Sequence, residues 1–246
     1  MKVEVWSDIA CPFCYIGKRR FEAGLAKFAH KDEIEVVYRS FQLDPNADKE
    51  PALDAYGLVA KKYGISREQS IAMHENLVNQ AAELGLAYNF EHAYPANSLD
   101  AHRLIHFAGR YGKRTEAAEQ LFKAYFTDSK HVGRLETLIA IAEEIGLDPK
   151  EAEAVLRSDE FKAEVEAECR EASQLGANGV PFYVINRKYA VAGAQPSEVF
   201  LDVLEKCWEE EKPLIMLDPS STNSNTGQVC TDDGCGIGDP NAEKQQ

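Results

Sequence analysis

The order in which the hydrophobic pattern changes period along the chain restricts the fold more than any other feature. Lys2 to Trp6 alternates with period two and ends in the polar Ser7-Asp8, which reads as a strand. Pro12 then stands where a first helical position would be, and Ile16, Phe21, Leu25 and Phe28 share one face of a helix. Ile34 to Phe41 is a β-branched and aromatic run, a second strand. Two strands joined by one helix suggest a parallel βαβ unit. Residues 51–175 contain no convincing strand. Apolar spacing there predicts helices over 53–63, 66–84, 98–111, 114–126, 134–145 and 148–175, the last broken near Ser158. Ser66 with Gln69 forms a capping-box pattern, and Gly64, Gly85, Gly112 and Gly146 punctuate helix ends. Strands return at Phe182 to Asn186 and Tyr189 to Ala192, with Arg187-Lys188 as a tight hairpin between them, before a last helix over 196–211. The reading is an α/β fold: a discontinuous α/β domain from residues 1–50 and 176–214, an all-helical insertion over 51–175, and an irregular tail over 215–246. That tail is rich in Ser, Thr, Asn and Gly and too poor in apolar residues to offset its ordering entropy alone.

Composition narrows the function. The 246 residues carry 27 Lys plus Arg against 41 Asp plus Glu, a net charge of −14. Nucleic acid needs clustered cations, and anionic lipid attracts them, so neither is an expected partner. Six cysteines are too few for a disulfide-built scaffold. Met1-Lys2 leads into a strand broken by charge, not into the apolar core of a secretory leader, and no apolar run approaches the roughly 20 residues of a membrane span. The expected compartment is the cytoplasm, where close cysteine pairs more often mean catalysis or metal than a structural bridge.

The pair that matters is Cys11-Pro12-Phe13-Cys14, placed after the first strand and at the start of the first helix. A helix start offers unpaired N–H groups and the positive end of the macrodipole, and both favour an anion such as a Cys11 thiolate. The thiolate is the attacking species in disulfide exchange. Cys14 lies about one turn further on and is placed to attack a mixed disulfide at Cys11. Pro12 is tolerated because its missing N–H would be unpaired anyway. The competing reading is half of a zinc site, which would need two more Cys or His ligands. Gly179-Val180-Pro181-Phe182 also stands out. Pro181 is either a trans proline opening a strand or a cis-proline turn beside the cysteines.

Ser7-Asp8-Ile9-Ala10-Cys11-Pro12-Phe13-Cys14-Tyr15-Ile16-Gly17 resembles the active-site segment of DsbA-like thioredoxin-fold oxidoreductases, the FrnE subgroup in particular. The long helical insertion, Asn97-Ser98-Leu99-Asp100-Ala101-His102-Arg103 and Gly179-Val180-Pro181-Phe182 are similar to the same family, over roughly residues 2–210. The resemblance implies a thioredoxin-like fold with Cys11 as nucleophile and Cys14 as resolving thiol. It implies a cis Pro181 shaping a substrate groove, with Pro12, Phe13 and the Val180 backbone against the substrate. Cys230 and Cys235 resemble the second cysteine pair of FrnE-type proteins. Phe13 stands where DsbA has a histidine, which favours reduction or isomerisation over strong oxidation. Kappa-class glutathione transferases and 2-hydroxychromene-2-carboxylate isomerases share the insertion fold but look for Ser at position 11, so they form the alternative reading.

The other candidates have plainer explanations beside them. Cys169 and Cys207 lie on apolar helix faces and read as small buried hydrophobes. His102 and His106 have i, i+4 spacing, but no further ligand completes a metal site, so they read as an ordinary helix pair. Asp8 either ends its strand or tunes Cys11. Asn97 reads as a helix N-cap, and the resemblance adds a role facing the substrate. Cys230 and Cys235 either trade electrons with the first pair, close a local loop or bind metal. No nucleotide or zinc-protease motif is present. The expected function is thiol–disulfide exchange on protein or small-molecule thiols and disulfides. No tightly bound cofactor is implied, glutathione is a candidate redox partner, and oligomeric state stays open. A zinc-binding thioredoxin-fold protein is the alternative outside enzymology.

Overall fold

The structure is a computed structural model, which describes residues 1–210 and the backbone of 230, 231, 234 and 235. Met1–Glu211 forms one compact unit and Lys212–Gln246 another. In the first, β1 (Lys2–Ser7), α1 (Pro12–Lys27) and β2 (Glu35–Ser40) are followed by α2 (Ala55–Tyr63), α3 (Arg67–Ala82), α4 (Leu99–Gly109) and α5 (Arg114–Phe126). Then come α6 (Leu135–Glu144), α7 (Pro149–Arg157), α8 (Lys162–Gln174), β3 (Phe182–Ile185), β4 (Tyr189–Ala192) and α9 (Ser197–Glu210). The strand order is β2-β1-β3-β4; β1 is parallel to β2, while β1–β3 and β3–β4 are antiparallel.

Period-two alternation sends each strand's residues to two different cores. Val3, Val5, Tyr183 and Ile185 join the large core that also holds Phe21 of α1 and Phe200 and Leu204 of α9. Trp6, Phe182 and Val184 face the other way and pack with Ala172 of α8 and Ala177. The pairing Trp6↔Phe182 and Val5↔Tyr183 keeps the two sets in register. Helices cover both faces, so even Glu4 is buried, its carboxylate held by Arg39 (2.6 Å) and by Arg187.

The helical segment is bolted to the sheet through Glu168 of α8. One of its carboxylate oxygens accepts from Arg39 of β2 (2.8 Å) and Arg114 of α5 (3.2 Å). The other accepts from the Ser40 N–H (2.7 Å) and pairs with His106 Nε2 of α4 (3.1 Å). Burial would raise the Glu168 carboxyl, but His106, Arg39 and the Ser40 N–H outweigh it and hold it well below the usual range.

Three sequence expectations shift here. The hairpin turn is not Arg187-Lys188: Asn186 (φ 50°) and Arg187 (φ 56°) are the left-handed residues, closed by the Lys188 N–H to the Ile185 carbonyl (3.0 Å). Asn tolerates that region. Arg187 is held in it by ion pairs to Glu4 and Glu171 (2.5 Å). Cys207 is buried in the large core, but Cys169 is only partly buried, and its thiol donates to the Ser40 carbonyl (3.7 Å). Ser98, not Asn97, occupies the N-cap position of α4 but makes no side-chain cap bond, while Asn97 Oδ1 accepts from the Leu99 N–H (2.9 Å). In the second unit β5 (Cys230–Thr231) pairs antiparallel with β6 (Gly234–Cys235), placing Cys230 opposite Cys235 along the backbone. The side chains of that pair, and the rest of the tail expected to be irregular, lie outside the described residues.

Candidate active site

Strand β1 runs out at Ser7, and a tight turn carries the chain into α1. The Cys11 N–H donates to the Asp8 carbonyl (3.0 Å), and the Cys14 N–H donates to the Cys11 carbonyl (3.0 Å). Cys11 is the N-cap residue, in extended geometry (φ −94°, ψ 113°), and Pro12 is the first helical residue. Local sequence alone explains this: proline fixes the first helical φ and has no N–H to waste. Cys11 is 4% exposed and Cys14 2%, while Phe13 between them is 44% exposed. Both cysteines are thus buried and Phe13 projects outward, but Cys11 lines a surface groove and is in that sense the outer thiol at its lip, with Cys14 behind it.

The start of β3 completes the lip. The Val180–Pro181 peptide is cis, and the Cys11 Sγ lies 3.6 Å from the Val180 carbonyl oxygen. Close approach of α1 depends on Gly17. A Cβ there would fall 2.8 Å from Pro181 Cγ and 2.8 Å from the Tyr183 hydroxyl. Cys11, Cys14, Val180 and Pro181 thus meet, although the two segments are far apart in sequence.

The thiols differ in surroundings. Burial pushes the Cys14 thiol well above its usual range; the neighbouring Cys11 and the Asp8 carboxylate push the same way, and the Asp8 backbone N–H opposes them. The Tyr183 hydroxyl is buried close by and has no hydrogen-bond partner. Asp8 is itself buried. Its carboxylate accepts from the N–H groups of Leu43 (2.8 Å) and Ala10 (3.2 Å), and His102 Nε2 stands 3.5 Å away. Burial would raise the Asp8 carboxyl, but His102, Leu43 and Ser98 hold it below the usual range.

From Cys11 an apolar groove of about 310 Å³ opens toward α2 and α3. Pro12 and Phe13 form one wall, and Leu58, Val59, Met73 and Leu77 form the other. Among the described residues lining it, Lys62 is the one permanently charged side chain. Asn97 is not among the lining residues. Its amide donates to the carbonyls of Pro45 and Ala47 (3.0 Å each), and its side-chain oxygen accepts from Leu99 N–H (2.9 Å), so it pins the 42–47 loop to the start of α4. His102 and His106 share a helix but not a partner, one facing Asp8 and the other Glu168. Among the described residues no group of three His, Cys, Asp or Glu is placed to hold a metal ion, and no helix is long and apolar enough to cross a membrane.

Two contributors carried no sequence signal of their own. Tyr88 donates its hydroxyl to the Pro12 carbonyl (2.7 Å), fixing the turn that carries the two cysteines from a loop far along the chain. Glu119 of α5 accepts from Tyr15 (2.8 Å) and pairs with buried Lys18 (2.6 Å) and with Arg19. Burial would raise the Glu119 carboxyl, yet Arg19 and Lys18 bring it down to about 2. Lone tyrosines and glutamates in helical or loop sequence look alike whether or not they reach a distant element, so only the fold could identify these two.

A family model described as DSBA-like thioredoxin domain matches residues 2–205. The solved structure of a "probable DsbA oxidoreductase" from Streptomyces coelicolor is 43% identical, covers 97% of this chain and all of its own, and superposes with a TM-score of 0.83. The protein YwbO of Bacillus subtilis is 28% identical over 201 residues, 80% of this chain and 92% of YwbO. The cytosolic disulfide reductase DsbM of Pseudomonas aeruginosa, solved with GSH, shares the fold at 14% identity and a TM-score of 0.61, over 85% of this chain and all of its own.

Proposed function

The chain belongs to the DSBA-like thioredoxin domain family, and on that premise we propose that it is a thiol–disulfide oxidoreductase acting through Cys11 and Cys14. The carrying observation is the arrangement at the lip: an outer thiol at a helix start, 3.6 Å from the Val180 carbonyl, with a second thiol buried one turn behind. The Cys11 thiolate attacks a substrate disulfide, one sulfur of which leaves as a thiolate and takes up a proton. Cys14 then attacks Cys11, the Cys11–Cys14 bond forms, and the second substrate sulfur leaves. The substrate is reduced by two electrons and the protein oxidised by two; the reverse sequence oxidises a dithiol.

The Val180 carbonyl offers an acceptor to an extended substrate backbone, and the apolar groove suits a protein segment with a bulky side chain near its cysteine. Glutathione serves as the small redox partner that returns the pair to its working state, and no tightly bound cofactor takes part. Two cysteines at positions 11 and 14 favour exchange over the glutathione-dependent transferase or isomerase reading. Cys230 and Cys235, opposed along a short ladder and similar to the second cysteine pair of FrnE-type proteins, would act as a second pair exchanging electrons with the first. The compartment that fits this chemistry is the cytoplasm.

Insulin reduction by the wild-type protein and by Cys11→Ser tests the assignment. The substitution is expected to abolish turnover, and equal rates would sink the proposal.

A further inference from the structure

His74 of α3 lines the apolar groove that Cys11 opens into, and the exchange scheme above leaves it unused. The residue is 6% exposed. Its ring is held edge-to-face between Tyr56 of α2 (centroids 4.9 Å apart) and Phe90 (4.6 Å). Phenylalanine would fill that space without the cost of burying a polar ring, so packing alone does not call for histidine. The two nitrogens settle what the ring presents. Nδ1 lies 2.7 Å from the Ser70 carbonyl oxygen, which can only accept, so Nδ1 carries the hydrogen. Ser70 is itself tied to α2, its hydroxyl donating to the Tyr56 carbonyl (2.9 Å). In the neutral ring Nε2 is then a bare acceptor. Among the described residues it has no hydrogen-bond partner. The side-chain polar atoms that are sealed without one belong to His102 and Tyr183, so Nε2 stays open, on the residue's groove side.

We propose that His74 is a specificity-determining residue, whose Nε2 accepts a hydrogen bond from the hydroxyl of a substrate tyrosine lying in the groove. The inference rests on the exchange reading and deepens it by naming the side chain that the groove takes. The preferred substrate is a protein segment with a tyrosine close to its reacting cysteine.

Three features point to that side chain. The groove holds about 310 Å³, at the bottom of the range for ligand pockets, roughly 300–1,000 Å³, which suits one large side chain. Phe13, Phe90 and Phe126 line it, and ring-on-ring packing favours an aromatic body over an aliphatic one. The tip of that side chain then has to satisfy Nε2. Phenylalanine would leave it desolvated and unpaired, which costs more than a made bond gains. A carboxylate tip would set acceptor against acceptor. The other polar side chains of the groove wall do not take over the task. Lys62 only donates. Burial, and after it the Asp8 carboxylate, raise the Tyr125 phenol, so it keeps its proton. Tyr63 is 60% exposed and stays hydrated.

The test uses short peptides with a single cysteine, each joined as a mixed disulfide to thionitrobenzoate. They carry tyrosine, O-methyltyrosine or phenylalanine at each of the two positions on either side of the cysteine in turn. Thionitrobenzoate is the better leaving group. Attack by Cys11 therefore forms the bond to the peptide sulfur and breaks the bond to thionitrobenzoate, which departs with the electron pair and is followed by stopped flow. At one position tyrosine should react about three- to tenfold faster than phenylalanine, the range for one net hydrogen bond. O-methyltyrosine, which keeps the ring and loses the donor, should fall to the phenylalanine rate or below. In His74→Phe, which keeps the aromatic packing, the tyrosine-to-phenylalanine ratio should drop to about one, and His74→Gln, which keeps an acceptor, should restore part of it. Equal rates for tyrosine and O-methyltyrosine in the wild type would overturn the proposal, and that comparison needs no variant to fold. A tyrosine preference that survives His74→Phe would overturn it too, including where all peptides slow together, as a merely structural role predicts. Release from every peptide no faster than in Cys11→Ser would instead defeat the exchange reading itself.

Discussion

Gly17 decides how closely α1 can lie against the cis peptide that lines the site. Any side chain there meets Pro181 and the Tyr183 hydroxyl at 2.8 Å, and both neighbours are buried or fixed by the turn. Gly17→Ala is expected to cost about 1–3 kcal/mol, the range for overpacking a filled core, with a matching fall in the urea midpoint. It should also slow insulin reduction, because the cheapest relief is a shift of Pro181 away from Cys11. A full-rate, fully stable Gly17→Ala protein would show that α1 gives way elsewhere. At this scale the sequence was informative about chemistry and silent about contact. Cys11 and Cys14 announced themselves by spacing and by their place after a strand. Tyr88 did not, because its partner Pro12 lies 76 residues away, and His102 stood out only by its spacing from His106, not by its contact with Asp8.

Between elements, Glu168 joins α8, α4, α5 and β2 through one carboxylate. Removing one member of such a buried network leaves the others uncompensated, so Glu168→Gln is expected to destabilise by about 3–5 kcal/mol in chemical denaturation. The pH dependence has a definite sign. Glu168 is held below its ordinary value of 4.5 in the folded state. Its contribution is therefore complete above that value and drains away as the pH falls below it toward the folded value. The wild type should lose stability steeply in that acid window, and the Gln variant should have a shallower slope there. Parallel slopes would mean that other carboxylates dominate. The helices themselves were legible from apolar spacing: the expected 114–126 is α5, and the break near Ser158 separates α7 from α8. Element ends were less so. Asn97 reads as the cap of α4 because Asn is a good N-cap; Ser98 holds the N-cap position, while the Asn97 side chain both accepts from the Leu99 N–H and ties down a loop. Capping propensity cannot distinguish two adjacent polar residues when one has a tertiary partner.

For the whole molecule, the −14 charge sets a background field against any new anion, so a thiolate would have to be stabilised locally, where a helix start offers unpaired N–H groups. The tail pair belongs to this scale. Replacing Cys230 and Cys235 together by Ser is expected to lower turnover with a protein disulfide while leaving the single-turnover reaction at Cys11 unchanged. Unchanged turnover and reduction potential would remove the relay from the scheme. The sequence by itself determined the order of strands and helices and the position of the cysteine pair at a helix start, because these depend on local periodicity and on which residues tolerate a helix start. Only the tertiary structure decided what surrounds that pair: the Val180 carbonyl, the Gly17 crossing, the groove from α2 and α3, and the Asp8–His102 contact. Those are meetings of segments distant along the chain, and packing sets them through burial and fit, quantities that no local pattern encodes.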